Sequence, residues 1–444
     1  MERTEPTPTA RMDPITTGPT GTEPTATART GPTATPRTPT GTTPPDRRFP
    51  NLARLVGPEA VGPFLAGPFG RDAFRTRLEP DTARRLFGWP ELKEALAAHR
   101  LAPPRLRLEQ GGADVTKGLF RSRRSRRGLL LQDIDAAVLN ARLRDGATLI
   151  LDAANELNPP LRALCAGLAA EFGCACQANL YACWGTSQGF DVHWDDHDVF
   201  VVQVEGRKRW ALYGSTRAFP TRRDHHGEHP RPEAPTRETV LEPGDVLYLP
   251  RGYWHAAVGL GGPTLHLTIG LTRKSGSDFL HWLADHALSE PAARADLPLE
   301  RDDAVLGAHL AGLISALAAE DPEALGRLYR RHVEAGQAQR PELSFPFLGE
   351  TGEKPGPGAR VRLSPGAARL RDGGEGEVVL SWRGTEFTVS AEMAGPLHEL
   401  VDGRALAYAE VEAAASQAAR PLVAGFVAEM AARGVLLIEP EPAS

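Results

Sequence analysis

The chain has 444 residues, of which 41% are apolar and 24% charged, values that suit a globular chain of two or three domains. A formal net charge of −5 gives no general pull towards nucleic acid or an anionic membrane. There is no secretory apolar segment, and no apolar run approaches the roughly 20 residues of a membrane span, so a cytoplasmic location without a membrane partner is expected.

Residues 1–47 are Thr, Pro, Gly and Arg with almost no large apolar side chains, as in TEPTPTA and GPTATPRTPTGTTPP. Such a tail cannot bury enough surface to offset its ordering entropy, and disorder is expected. From Phe49 the composition turns globular. SRRSRRGLLLQDIDAAVLNARLRDGATLILDA reads as a basic loop, a helix, a Gly turn and a strand. PPLRALCAGLAAEFG has helical spacing and a Gly stop, and CACQANLYACW reads as a strand. DVFVVQVEG alternates and is rich in β-branched residues. KRWALYG follows after a Gly-containing turn, the pattern of a hairpin. VLEPGDVLYLPRGYWHAAV gives turn, strand, tight turn and strand, and PTLHLTIGL completes the set. Many short strands between turn signals predict a β-sandwich or small barrel spanning 48–275.

From about Ser277 the pattern becomes helical, with SDFLHWLADHALSE and DDAVLGAHLAGLISALAAEDPEALGRLYRRHVEAG filling a segment 276–350. GETGEKPGPGAR reads as a linker. Residues 351–444 mix the strands EVVLSW, EFTVSAE and VLLIEP with helices around GPLHELVDG, YAEVEAAASQA and PLVAGFVAEMAARG, a winged-helix-like arrangement. YAEVEAAASQA is acidic and neutral, unlike a basic recognition helix, which argues against direct DNA binding.

The four cysteines, Cys165, Cys174, Cys176 and Cys183, lie close together without the paired C-x-x-C of a zinc site, and read as small buried side chains. Only five lysines occur: Lys93, Lys117, Lys208, Lys274 and Lys354.

The stretch GFDVHWDDHDVFVVQVEGRKRW packs two histidines and three aspartates into the six residues 193–198 and then turns into an apolar strand. On a strand, His193 and Asp195 point to one face. An imidazole and a carboxylate are two-thirds of the facial triad that holds non-haem Fe(II). His255, after the tight turn of LPRGYWHAAV, is the best third donor. Without a thiolate at these positions, a structural zinc site is disfavoured. From the residues alone, Asp195 with His197 is a competing pair, and a solvated polar strand end remains open. Lys208, at the start of a strand, reads either as a compact buried cation or as a surface lysine in the turn GRKR. His225, His226 and His229 lie in a Pro-rich polar loop and read as solvated.

NLYACWGTSQGFDVHWDDHDVFVVQVEGRKRWALY, then LEPGDVLYLPRGYWHAA and LHLTIGL, resembles the JmjC ribosomal-oxygenase family of cupin-type 2-oxoglutarate oxygenases, over roughly Asp145 to Leu271. The resemblance implies a mainly β double-stranded β-helix (a cupin jelly roll) with flanking helices, a helical dimerisation segment and a winged-helix-like C-terminal domain. It implies Fe(II) on His193, Asp195 and His255, leaving His197 outside. It places the outer carboxylate of 2-oxoglutarate on Lys208, with further co-substrate contacts at Asn179, Tyr181 and Thr268, and O₂ as oxidant. The implied reaction is hydroxylation of a protein or peptide, with the β-carbon of an Arg or His favoured, a ribosomal protein the first candidate and a tailored peptide the alternative. A homodimer is implied. The sequence departs from the family where "DV" precedes His193, where "CWG" replaces a Thr-Pro-rich turn, and where no Trp-x-x-Lys-Pro segment is evident near Phe64–Phe74. These departures touch the substrate cleft, not the ligands. A non-catalytic peptide-binding cupin scaffold and a zinc or manganese cupin hydrolase are the competing readings.

Overall fold

The computed structural model describes residues 48–186, 188–226, 230–337, 341–350 and 353–441. The tail expected to be disordered, residues 1–47, lies outside them.

Helices α1 (Pro50–Val56) and α2 (Val61–Ala66) lead into strand β1 (Phe74–Arg77), then α3 (Pro80–Arg84) and α4 (Trp89–Ala98). Next come β2 (Leu106–Gln110), β3 (Ala113–Asp114), β4 (Phe120–Arg124), β5 (Leu130–Ile134), α5 (Ala136–Arg144), β6 (Thr148–Leu151) and α6 (Pro159–Phe172). Asn158 caps α6 through the Leu161 amide, and Gly173 ends it in the left-handed conformation. The remaining strands of this part are β7 (Ala175–Cys183), β8 (Asp198–Glu205), β9 (Lys208–Ser215), β10 (Arg237–Leu241), β11 (Asp245–Leu249), β12 (Tyr253–Gly259) and β13 (Thr264–Thr272).

One sheet runs β1-β11-β8-β13-β7-β6-β2-β3 and the other β10-β9-β12. The expected hairpin between β8 and β9 does not form. β8 pairs with β11 and β13, while β9 pairs with β10 and β12 in the opposite sheet. The reason lies in burial on both faces of β8. Phe200, Val202 and Val204 pack into the main core, and Val199 and Val201 into a second core with Trp210, Leu212 and Leu247. β9 has one wetter face, as an outer sheet allows. Gly206 makes the crossing at φ +66, where a Cβ would fall 2.2 Å from the Pro263 carbonyl oxygen.

The basic loop is also corrected. SRRSRRG is the tip of an antiparallel hairpin, β4 with β5. Phe120 and Ile134 anchor its base against the main core.

Beyond the jelly roll, α7 (Gly276–His286) begins with a Ser275–Asp278 capping box. α8 (Pro291–Arg294), α9 (Asp303–Ala318) and α10 (Pro322–Ala335) follow. α9 is rich in Leu and Ala, yet none of its residues is buried. The C-terminal part contains β14 (Arg360–Leu363), β15 (Ala368–Gly374), β16 (Glu377–Trp382), β17 (Thr385–Ser390), α11 (Ala394–Val401), β18 (Leu406–Ala407), α12 (Tyr408–Ala414), α13 (Val423–Ala432) and β19 (Leu436–Glu439). Its strands form β15-β16-β17 and β18-β14-β19, around a core of its own that includes Val361, Leu397, Val411 and Val427. The chain joins this core ahead of the linker: Phe347 packs on it, Glu342 pairs with Arg362 at 2.7 Å, and Ser344 Oγ accepts from the Ile438 amide. Among the described residues no single helix is long and apolar enough to cross a membrane.

Candidate metal centre

His193 and Asp195 do not sit on a strand, as the H-x-D spacing suggested. They lie in the loop that joins β7 to β8. His193 and His255 form an isolated antiparallel bridge: the His193 amide donates to the His255 carbonyl at 3.1 Å, and the His255 amide donates back at 2.8 Å. The Gly252 amide donates to the Asp195 carbonyl at 2.8 Å. The loop is thus fastened to the start of β12, and the ligand-type side chains meet through backbone pairing rather than strand alternation.

One donor atom from each of His193, Asp195 and His255 lies within 4.8 Å of the others. His255 Nε2 is 3.7 Å from Asp195 Oδ2. The Nδ1–H of His193 donates to the Asp191 carbonyl, and that of His255 to the Tyr253 carbonyl, each at 2.8 Å. These bonds fix the tautomer and leave both Nε2 lone pairs free, the arrangement a metal-binding histidine needs. Burial, with His193 beside it, pushes the His255 imidazolium pKa down to about 4, so the ring is neutral and ready to ligate.

His197 stands outside this group. Its Nδ1 pairs with Asp196 at 3.0 Å, and its ring lies over Gly270, where a Cβ would meet the ring at 2.7 Å. Burial opposes its charge, but Asp196 and the neighbouring Asp195 and Asp198 outweigh that and raise its pKa. Asp198 is buried. It accepts from the Arg251 amide at 2.9 Å and pairs with Arg273 at 2.8 Å, so it holds the turn that launches β12. The side chains of His225 and His226, and all of His229, lie outside the described residues.

A cavity of about 230 Å³ opens on the three donors. Tyr181, Lys208 and Thr268 line it; Asn179 does not. Asn179 Oδ1 instead accepts from the Ala153 amide at 3.0 Å and from Gln177 Nε2 at 2.9 Å. Lys208, 5% exposed, stands opposite Gly259, with the Cys183 thiol beside its ammonium. Burial lowers its pKa and the thiol acts against that. Burial raises the Tyr181 pKa, so its hydroxyl stays a proton donor. A larger cavity, about 290 Å³, is lined by Cys165, Cys174, Cys176 and their neighbours and lies apart from the donors.

Cys183, His266, Arg107 and Trp210 also line the donor cavity; Cys183 and Trp210 read from the sequence as packing residues, and His266 and Arg107 were not singled out there. His266 is buried and neutral, its ring stacked on Tyr181 at 4.9 Å. It was legible: on LHLTIGL, Leu265, Leu267 and Ile269 enter the core, so His266 and Thr268 face the other way.

A family model described as JmjC domain matches residues 156–279. The bifunctional lysine-specific demethylase and histidyl-hydroxylase NO66 of Drosophila persimilis is 43% identical over 112 residues, 24% of this chain and 16% of that protein. Ribosomal oxygenase 2 of Rattus norvegicus is 42% identical over 113 residues, 24% of each chain. The chain therefore spans at most about a quarter of these curated relatives. Among solved structures, Escherichia coli ycfD aligns with a TM-score of 0.55 at 16% identity, covering 85% of this chain and 98% of that one. Its complex with cobalt and 2-oxoglutarate aligns at 0.53, with the same identity and coverage. The fold is thus a jelly roll with flanking parts like that of ycfD, and residues 156–279 match the JmjC domain, the region in which the chain is similar to the ribosomal oxygenases.

Proposed function

We propose that the protein is a 2-oxoglutarate-dependent dioxygenase that hydroxylates a protein or peptide side chain. The observation that carries this reading is the pairing of a two-His, one-carboxylate donor set with a buried lysine in one cavity. The donor set fits ferrous iron: two imidazoles with free Nε2 atoms, one carboxylate and no thiolate among them. Bound there with 2-oxoglutarate, the metal supplies the activation of O₂ that converts the co-substrate to succinate and CO₂ and hydroxylates a C–H bond.

The chain's own residues do the rest. The backbone bridge holds His193 against His255, and the Asp191 and Tyr253 carbonyls orient the two rings. Lys208 supplies a buried cation for the outer carboxylate of the co-substrate. Tyr181 and Thr268 offer hydroxyls within the same cavity. Trp210, 4% exposed and stacked on His255 at 5.7 Å, walls the metal side from water.

The target we favour is the β-carbon of an Arg or His in a ribosomal protein. Support comes from the relatives whose names record histidyl hydroxylation and ribosomal oxygenation. We also propose a homodimer through α9, where Val305 is 45%, Leu310 38% and Ile314 66% exposed. An apolar helix with no fully buried residue implies a partner, and a second copy is the one we propose. Intact-mass comparison of ribosomal proteins from cells with and without the gene tests the substrate. Loss of one oxygen atom from one protein is expected, and an unchanged set of masses refutes the ribosomal target.

A further inference from the structure

The β4–β5 hairpin has no part in the metal centre. Arg121, Arg123, Arg124, Arg126 and Arg127 fall within seven consecutive residues of it, in a chain whose net charge is −5. All five are exposed. Arg121 pairs with Asp135 and Arg123 with Asp133. Among the described residues, Arg124, Arg126 and Arg127 make no ion pair; Arg124 donates only to the Gly128 carbonyl at 3.2 Å. Beyond its anchored base the ribbon packs chiefly on itself, and Leu129 and Leu130 are each 62% exposed. A projecting ribbon gains nothing for its own fold from three like charges crowded at its turn, since their mutual repulsion opposes the turn.

Its position gives the charge a use. The Gly111 and Gly112 amides donate to the Gln188 and Gly189 carbonyls at 2.9 Å, pinning the β2–β3 turn to the loop that carries His193. Phe120 begins the hairpin six residues after Asp114. At the chain's maximum reach, the base of the hairpin lies within about 20 Å of that turn. The base of the hairpin is therefore tethered by a short segment to the turn that is pinned on the loop carrying His193.

We propose that the β4–β5 hairpin is an RNA-binding arm whose Arg124, Arg126 and Arg127 engage the phosphate backbone. Guanidinium forks match phosphate oxygens in pairs, and the tip carries arginine alone, with no lysine. An acidic peptide offers the same charge. However, a peptide needs apolar contacts as well, for which the tip offers Leu129 and Leu130, whereas a phosphate chain needs only exposed cations. RNA is also the polyanion that surrounds the ribosomal target proposed above, and to that extent the choice of RNA rests on that reading. Binding itself needs neither metal nor 2-oxoglutarate, so it can fail while the oxygenase reading stands.

The test is fluorescence anisotropy of a labelled poly(U) oligonucleotide with the full chain. Three phosphate contacts predict a salt slope near −2 and a loss of roughly 20-fold in affinity between about 50 and 200 mM salt. Arg124→Glu/Arg126→Glu/Arg127→Glu abolishes binding, and the neutral Gln triple variant weakens it with a slope near zero, with the thermal midpoint unchanged in both. Three results would overturn the inference: no binding by the wild type at low salt, equal binding by the Glu variant, or competition by polyglutamate as strong as that by unlabelled RNA.

Discussion

β8 and α9 are both predominantly apolar, and the molecule treats them in opposite ways. Seven of the eight residues of β8 are buried, and its two faces serve two different cores. None of the sixteen residues of α9 is buried. The difference teaches where this chain is complete in itself. The jelly roll satisfies its own hydrophobic demand and can therefore hold a metal geometry rigidly. The helical segment leaves its demand open, and closes it in our reading with a second copy.

The rigid half is broken most severely at its ligands. Asp195→Ala removes the only carboxylate of the donor set, and iron affinity should fall by more than the ~10–100-fold that loss of an outer hydrogen-bond partner costs. Metal titration checks this, with succinate formation as the companion readout. Phe200→Ala should cost about 3–5 kcal/mol in denaturant unfolding, because it empties a fully buried site. Ile314→Ala in α9 should stay within about 0.5 kcal/mol for the monomer while weakening self-association measured by sedimentation. Equal stability losses at the two positions would contradict the contrast.

pH probes the rigid half more gently. His255 is neutral in the folded metal-free protein down to about 4, whereas the unfolded imidazole protonates near 6.5. Between those values the unfolded state binds the extra proton, so stability falls as pH falls through this window. The loss is of the order of 3 kcal/mol, and His255→Asn should flatten it in unfolding curves recorded across that range.

Glycine gives the smallest and most pointed comparison. Gly206→Ala forces a Cβ against the Pro263 carbonyl at positive φ and should destabilise by more than about 1 kcal/mol. Gly312→Ala, with nothing within 4 Å, should stabilise α9 by about 0.5–1 kcal/mol in the dilute monomer. If Gly312→Ala instead weakens the associated form, a partner's backbone lies against it.

How much of this was legible in the sequence follows the same division. Alternation in DVFVVQVEG announced a strand, and the Gly stop after PPLRALCAGLAAEF announced a helix end, because both signals are local. Which sheet β9 joins was not legible, since that depends on burying both faces of β8 at once. His193, Asp195 and His255 were named from ligand chemistry and family resemblance, but their meeting through a backbone bridge has no local signature. Asn179 shares a strand face with Tyr181, yet the Ala153 amide occupies its oxygen, a contact 26 residues away in the chain. His266 was readable from strand periodicity and was passed over because a single histidine in an apolar strand attracts no attention. The exposure of α9 was the least visible, since helical periodicity alone does not say which residues stay uncovered.

The most direct measurement is calorimetric titration of 2-oxoglutarate into anaerobic, iron-loaded protein and its Lys208→Ala variant. Removing one partner of a buried charge pair should weaken co-substrate binding at least about 30-fold, with iron affinity unchanged. If the variant binds 2-oxoglutarate as tightly as the parent, or the parent does not bind it at all, the cavity does not serve as proposed.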